Sequence, residues 1–203
     1  MGTRIILIRH GDPGYNNKFV GTTDYDLVDG AAEKAKEFGK NLKNEGIVAL
    51  YSSQLKRAAQ TADAIGESLG LKVDERFNEF NEIDFGEWED KEIDDIRKEQ
   101  PEEMKKRGDD LWNHNSYNGE NFIDVRNRVM PLVMELLQRH EGKTFAIVAH
   151  GIVNRVICAV FTGISIKELL MDWEIGFLAT LFFKKNGDKI DLEKTIGVEK
   201  PGS

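Results

Sequence analysis

The chain has 203 residues, 40% of them hydrophobic and 32% charged, which suits one globular domain with a core of its own. Its formal charge of −8 argues against unspecific binding to nucleic acid or to anionic membranes, so an anionic substrate must meet positive charge gathered locally. No apolar run is long enough to suggest a transmembrane helix, IILI is too short for a signal-peptide core, and Cys158 has no internal disulfide partner; a reducing, cytoplasmic setting is expected.

The run Ile5-Ile6-Leu7-Ile8 is apolar without alternation, as in a strand covered on both faces, and it ends abruptly on Arg9-His10-Gly11. After a polar loop, Ala31, Ala35, Phe38 and Leu42 recur at helical spacing, with Asp29 in position to cap the helix. Ile47 to Tyr51 reads as a second strand, and Leu55, Ala58, Ala62, Ile65 and Leu69 form a helical stripe that stops at Gly70. Leu71 to Asp74 alternates weakly and is read as a further short strand.

From about residue 87 to 120 the chain is strongly polar and contains Pro101, and it is read as an excursion over one face of a single domain spanning 1–203. Val125, Val129, Leu132 and Leu136 restore the helical period, with Pro131 predicting a kink or break. Phe145 to Ala149 is another fully apolar strand, followed by His150-Gly151 and a helix carrying Ile152, Val153, Val156, Ile157 and Val160; Cys158 lies within that segment as a packed, inert thiol. Asn186-Gly187-Asp188 then joins Leu178–Phe183 to Lys189–Leu192 as a hairpin. Alternating strands and helices imply a three-layer α/β/α sandwich around a central, mostly parallel sheet, with antiparallel pairing near the hairpin.

Ligands of such sheets bind beyond the carboxyl ends of the strands. Two of the four histidines, His10 and His150, stand at such ends, each before a glycine whose N–H could approach a ligand. A metal site is the obvious competitor, but neither histidine has a carboxylate, cysteine or second histidine at ligand spacing. Arg9 adjoins one histidine, and Arg57, in YSSQLKRAAQTA, lies at the start of the second helix; guanidinium forks match phosphate oxygens.

Several segments together resemble the histidine phosphatase superfamily, the phosphoglycerate mutase-like proteins. LIRHGDPGYN is similar to L-x-R-H-G-E-x-x-x-N, with Asp12 for glutamate and Asn16 in register. GTTDYDLV follows G-x-x-D-x-P-L-T except at Asp26 and Val28, and SSQLKRAAQTA agrees with S-S-x-L-x-R-A-x-Q-T-A throughout. NEIDFGEWED resembles L-x-E-x-x-F-G-x-W-E-G, with Asp90 where glycine is common. NGENFIDVRNRV resembles G-E-S-x-x-D-V-x-x-R-V with Asn121 for serine, and VAHGIVNRVI carries the final V-x-H-G.

The resemblance implies a phosphoglycerate mutase-like fold, no cofactor or metal, and a phosphohistidine formed on His10. Arg9, Arg57 and His150 would stabilise the transferring phosphoryl group, and Asn16 would donate a hydrogen bond to it. Among Glu79, Glu82, Asp84, Glu87 and Glu89 the residues alone do not select the proton carrier; the motif register selects Glu82, which a neighbouring phosphate dianion would help to hold its proton. The expected partner is a small phosphorylated metabolite, and oligomeric state is left open. Phosphatase is favoured over phosphoglycerate mutase, whose members acting on phosphoglycerate usually carry a longer, more basic insertion than one offering Lys105, Lys106 and Arg107. NEIDFGEWE and GENF resemble α-ribazole phosphatases and broad-specificity phosphomonoesterases alike. Trp112, His114 and Tyr117 are candidates for substrate contact, and a catalytically weak phosphate-binding module is the remaining alternative.

Overall fold

The computed structural model describes residues 2–115 and 118–200. Six strands form one sheet in the order β3-β2-β4-β1-β5-β6: β1 Thr3–Arg9, β2 Ile47–Ser53, β3 Glu75–Phe77, β4 Thr144–Ala149, β5 Glu174–Asn186 and β6 Lys189–Glu199. The pairs β3·β2, β2·β4 and β4·β1 are parallel, whereas β1·β5 and β5·β6 are antiparallel, so the expected C-terminal hairpin docks edge-on against β1.

Alternate residues of the central strands face opposite helical layers, because successive side chains of a strand point to opposite faces. Ile5, Leu7, Phe145 and Ile147 pack with Val125, Val129 and Val133 of α5 (Phe122–Arg139) and Val153, Val156 and Ile157 of α6 (Gly151–Thr162). Ile6, Ile8, Ala146 and Val148 pack instead with Ala35 of α1 (Ala31–Lys40) and Ala58, Ala62 and Ile65 of α2 (Lys56–Leu69). Each Val, Leu, Ile or Phe among these side chains contributes about 1.5–3 kcal/mol on burial, so a one-residue slip that exchanged the two sets is strongly disfavoured.

The polar excursion folds into α3 (Ile93–Glu99) and α4 (Pro101–Asp109), with Pro101 at the first turn of α4, where its missing N–H costs nothing. A short α7 (Ile166–Met171) precedes β5. The start of the excursion is tied to the loop after β1: Asp90 N–H donates to the Phe19 carbonyl, Phe19 N–H to that of Lys91, and Ile93 N–H to that of Asn17. No helix among the described residues is long and apolar enough to cross a membrane.

Four local readings need correction. Asp29 does not cap α1; Gly30, at φ 79°, occupies the N-cap and no side chain caps the helix. The strand read at residues 71–74 lies instead at Glu75–Phe77, because the Asp74 carboxylate accepts from Leu50 N–H and closes the β2 edge before pairing begins at Glu75. Helix α5 runs unbroken through Pro131, which sits on the exposed face, where water can hydrate the carbonyl left without its N–H partner. The C-terminal strands are longer than their apolar runs, and β5 contains an irregular register between Ile175 and Thr180 with Leu178 at φ 61°. Cys158 is fully buried, and burial pushes its thiol up to about 11, in keeping with an inert side chain.

Gly70 ends α2 at φ 71° with its N–H on the Glu67 and Gly66 carbonyls, and a Cβ there would meet open space. Gly70→Ala therefore isolates the left-handed backbone cost: a urea titration should show a loss of about 1 kcal/mol at unchanged slope.

Candidate active site

Strands β1 and β4 pair in parallel with Arg9 opposite Ala149, so the next residue of each, His10 and His150, must emerge side by side. Their rings lie 5.1 Å apart, and both residues are buried. His10 Nδ1 lies 2.7 Å from the Gly11 carbonyl oxygen. A carbonyl only accepts, so Nδ1 carries the proton and a neutral ring presents its lone pair at Nε2. Gly11 N–H, expected to face a ligand, instead donates to Thr61 Oγ1, whose hydroxyl donates to the Arg57 carbonyl. Strand end and helix start are thereby locked together.

The tautomer of His150 follows from a similar chain. Gln54 N–H donates to Asn81 Oδ1, which makes that oxygen an acceptor, so the Ser53 hydroxyl must donate to it at 2.8 Å. Ser53 Oγ then has no proton left for His150 Nε2, 2.8 Å away, and Nε2–H must be the donor. His150 Nδ1 is left buried without a partner.

Arg57 is completely buried; it donates from Nη1 to the Thr23 carbonyl at 2.7 Å and from Nη2 to the Gly21 carbonyl at 2.6 Å. Glu89 holds that loop from its other side, accepting from the N–H groups of Gly21, Thr22 and Thr23 and from Thr23 Oγ1. Gly21 has no alternative residue at this spot, since a Cβ would lie 1.8 Å from the Ile83 carbonyl oxygen. Asp24 accepts from Lys56 N–H and so caps α2. Arg9 donates to the Ile175 carbonyl at 2.5 Å and lies 4.5 Å from the Phe177 ring centre. The Nε atoms of both arginines are buried without partners.

Glu82 is buried at the N-terminus of α6. Its Oε1 accepts from Ile83 N–H at 3.1 Å and Val153 N–H at 3.3 Å, and its Oε2 from Ile152 N–H at 3.1 Å. Three of the roughly four lone-pair positions of the carboxyl group are filled; a Cβ on the neighbouring Gly151 would lie 3.3 Å from Arg155 Nη1 and 3.7 Å from both Arg9 Nε and Glu82 Oε2.

Burial, with the charges of Arg57 and Arg9, holds His10 well below the ordinary histidine value of 6.5; burial and the charges of Arg57, Arg9 and Arg128 do the same for His150. Burial also lowers Arg9, opposed by Tyr15, Glu82 and Asp12. Among the described residues, no three His, Cys, Asp or Glu are grouped to hold a metal ion.

The structure thus gathers Arg9, His10, Arg57, Glu82 and His150 and leaves out Asn16, which is exposed on the loop after β1 and makes no hydrogen bond to the cluster. Trp112 packs edge-on against Phe122 and lines a 620 Å³ cavity with Ile123 and Ala159. His114 bonds Glu103 within the excursion, and Tyr117 lies outside the described residues. Phe177 and Tyr15 are members that motif reading missed: Phe177 stacks 5.8 Å from His10, and the Tyr15 ring lies 5.9 Å from the Arg57 guanidinium. Neither carries a chemical signature in sequence; Tyr15 stands inside the first motif, but at a position the motif leaves open.

The sequence profile of the histidine phosphatase superfamily (branch 1) matches residues 5–190. The chain belongs to the histidine phosphatase superfamily. Phosphoserine phosphatase 1 of Hydrogenobacter thermophilus is 27% identical over 175 residues, 85% of this chain and 81% of that one. A 2,3-bisphosphoglycerate-dependent phosphoglycerate mutase of Bartonella bacilliformis is 31% identical over 210 residues, 97% of this chain and 98% of that one. Among solved structures, the α-ribazole phosphatase of Shigella flexneri shares the fold at a TM-score of 0.80 and 24% identity, covering 96% of each chain. The superfamily therefore brings both phosphatases and mutases close to this chain. The near end-to-end match to a mutase also removes insertion length as a way of separating the two here.

Both histidines are held neutral in the folded protein, whereas unfolded ones take up protons as pH falls through about 6.5. The unfolded state then binds more protons, so this contribution lowers stability as pH drops below that value. The thermal midpoint of a His10→Gln/His150→Gln variant should fall less than that of the wild type between about pH 7.5 and about pH 5.5; equal falls would contradict buried neutral rings.

Proposed function

We propose that this protein is a metal-independent phosphatase acting on a small organic phosphate monoester through a phosphohistidine on His10. The observation that carries the reading is the pinned tautomer of His10, whose Nε2 lone pair opens onto buried cations with unpartnered N–H groups. A phosphoryl group bearing three peripheral oxygens is the kind of ligand that would satisfy Arg9 Nε, Arg57 Nε and, once protonated, His150 Nδ1.

In the first displacement, the Nε2 lone pair attacks phosphorus, the P–O bond to the alcohol breaks, and Glu82 transfers its proton to the departing oxygen. In the second, Glu82 takes a proton from water as the water oxygen attacks phosphorus; the N–P bond breaks, releasing orthophosphate and neutral His10. Each half returns what the other consumed. Asn16 would join the phosphate only through movement of its loop.

Several features favour hydrolysis of a monoester. Of the six basic residues of the excursion, Arg97, Lys98 and Lys106 are paired with Asp94, Asp95 and Glu103, and Arg107 is buried between the Phe85 and Phe122 rings, which leaves Lys91 and Lys105 for a second anionic group. The likeness to phosphoserine phosphatase 1 points the same way. A mutase is the second reading, favoured by the 31% identity with the Bartonella enzyme.

A panel of phosphate esters, assayed with and without a bisphosphorylated primer, separates the two. Primer-independent hydrolysis that survives a chelator and disappears in His10→Ala is the expected result. Label trapped on His10 by alkaline quench should be lost in acid. Primer-dependent isomerisation outrunning hydrolysis would instead assign a mutase.

A further inference from the structure

We propose that Arg128, braced by Glu120, is a positioning residue that sets Glu82 against the leaving-group oxygen. This rests on the reading of Glu82 as the proton carrier. The segment NGENFIDVRNRV, which contains both residues, contributes no side chain to the cluster around His10, yet it reaches the acid from behind.

Arg128 lies on α5. Its Nε donates to Glu120 Oε1 at 2.7 Å and its Nη2 to Glu120 Oε2 at 2.8 Å, a two-pronged ion pair with both side chains about three-quarters buried. The remaining donors go to the chain that carries the acid. Nη1 donates to the carbonyls of Glu79 at 2.6 Å and Asn81 at 2.8 Å, and Nη2 to the carbonyl of Glu82 itself at 3.2 Å. Glu120 grips the same strip further along: its Oε2 accepts from Asp84 N–H at 3.0 Å, and its own N–H donates to the Asp84 carbonyl at 2.8 Å.

Residues 79 to 84 are thus held at four backbone points by one guanidinium–carboxylate unit. That stretch is otherwise irregular, lying between a short helical turn at Asn78–Phe80 and another at Gly86–Trp88, so no sheet ladder or long helix fixes it. Glu82 is clamped at its backbone by Arg128 and at its carboxylate by the first N–H groups of α6. A rigid fork with five donors fits this pattern, and an ammonium group does not. Small displacements of a proton carrier are costly to proton transfer.

Leaving-group dependence separates positioning from mere structural support. A 4-nitrophenolate departs without a proton, whereas an alkoxide needs one, so loss of a well-placed acid shows selectively on alkyl phosphates. The experiment compares kcat/KM, which ends with release of the alcohol, for 4-nitrophenyl phosphate and an alkyl phosphate in the wild type, Glu82→Gln, Arg128→Lys and Glu120→Gln. Thermal midpoints of all four report folding, and Glu120→Gln carries the comparison should Arg128→Lys not fold.

The expected result is a selective loss on the alkyl ester in Glu82→Gln, and in the same direction a loss of roughly tenfold or more in Arg128→Lys with only a few-fold loss on the nitrophenyl ester. Selectivity in Glu82→Gln with none in a folded Arg128 or Glu120 variant would overturn the positioning role alone. No selectivity in Glu82→Gln would overturn the reading of Glu82 as the acid, and the inference with it.

Discussion

Arg57 is wholly withdrawn from water without a carboxylate touching it, and the way that charge is held organises one side of the site. Its compensation is indirect. Glu89 accepts the Thr22 N–H, and the other end of the same peptide group, the Gly21 carbonyl, accepts the guanidinium, so that peptide relays negative charge to a cation the carboxylate never meets. Breaking a buried pair costs about 3–5 kcal/mol, because one charge is left uncompensated. A relay of polarised peptide groups faces the same risk. This explains why a loop near the N-terminus and an excursion seventy positions later are bound together, and why Gly21 sits where a Cβ would strike the Ile83 carbonyl.

With two arginines nearby and both rings buried, neither histidine gains by ionising. The cations thus keep the imidazole of His10 neutral, the state a nucleophile needs, and they are also the groups a transferring phosphoryl would require. Unpartnered buried donors on Arg9 and Arg57 are expensive as they stand, each carrying a desolvation penalty of about 1–3 kcal/mol. Stored imbalance of that kind favours an oxyanion when one arrives. The irregular stretch of β5 serves the same end: Leu178 in a left-handed conformation accompanies the turn that brings Phe177 against Arg9 and His10.

How much of this was legible in sequence depends on the kind of signal. The central strands were plain, because a strand covered by helices on both faces is apolar throughout, and the parallel register of β1 and β4 turned two distant His-Gly steps into neighbours. Strand ends and the start of α2 pointed to Arg9, His10, Arg57 and His150, and motif register to Glu82. Edges were poorly legible: β3 has two exposed residues of three and follows an aspartate used as a cap, so no hydrophobic pattern marks it. Asp29 and Pro131 misled because local propensity was overridden, by a left-handed glycine in one case and by a solvated helix face in the other. Ser53, Asn81, Thr61 and Arg128 act through hydrogen bonds to other groups, and such roles leave no pattern beyond lying inside a motif.

The state of His10 bears most directly on whether this cluster is built for nucleophilic attack on phosphorus. Nitrogen-15 NMR of the histidine side chains through a pH titration reads both proton position and charge. A ring protonated at Nδ1 alone, and still neutral well below pH 6.5, is the predicted result. A His10 that titrates near 6.5, or that carries its proton on Nε2, would contradict the proposed site.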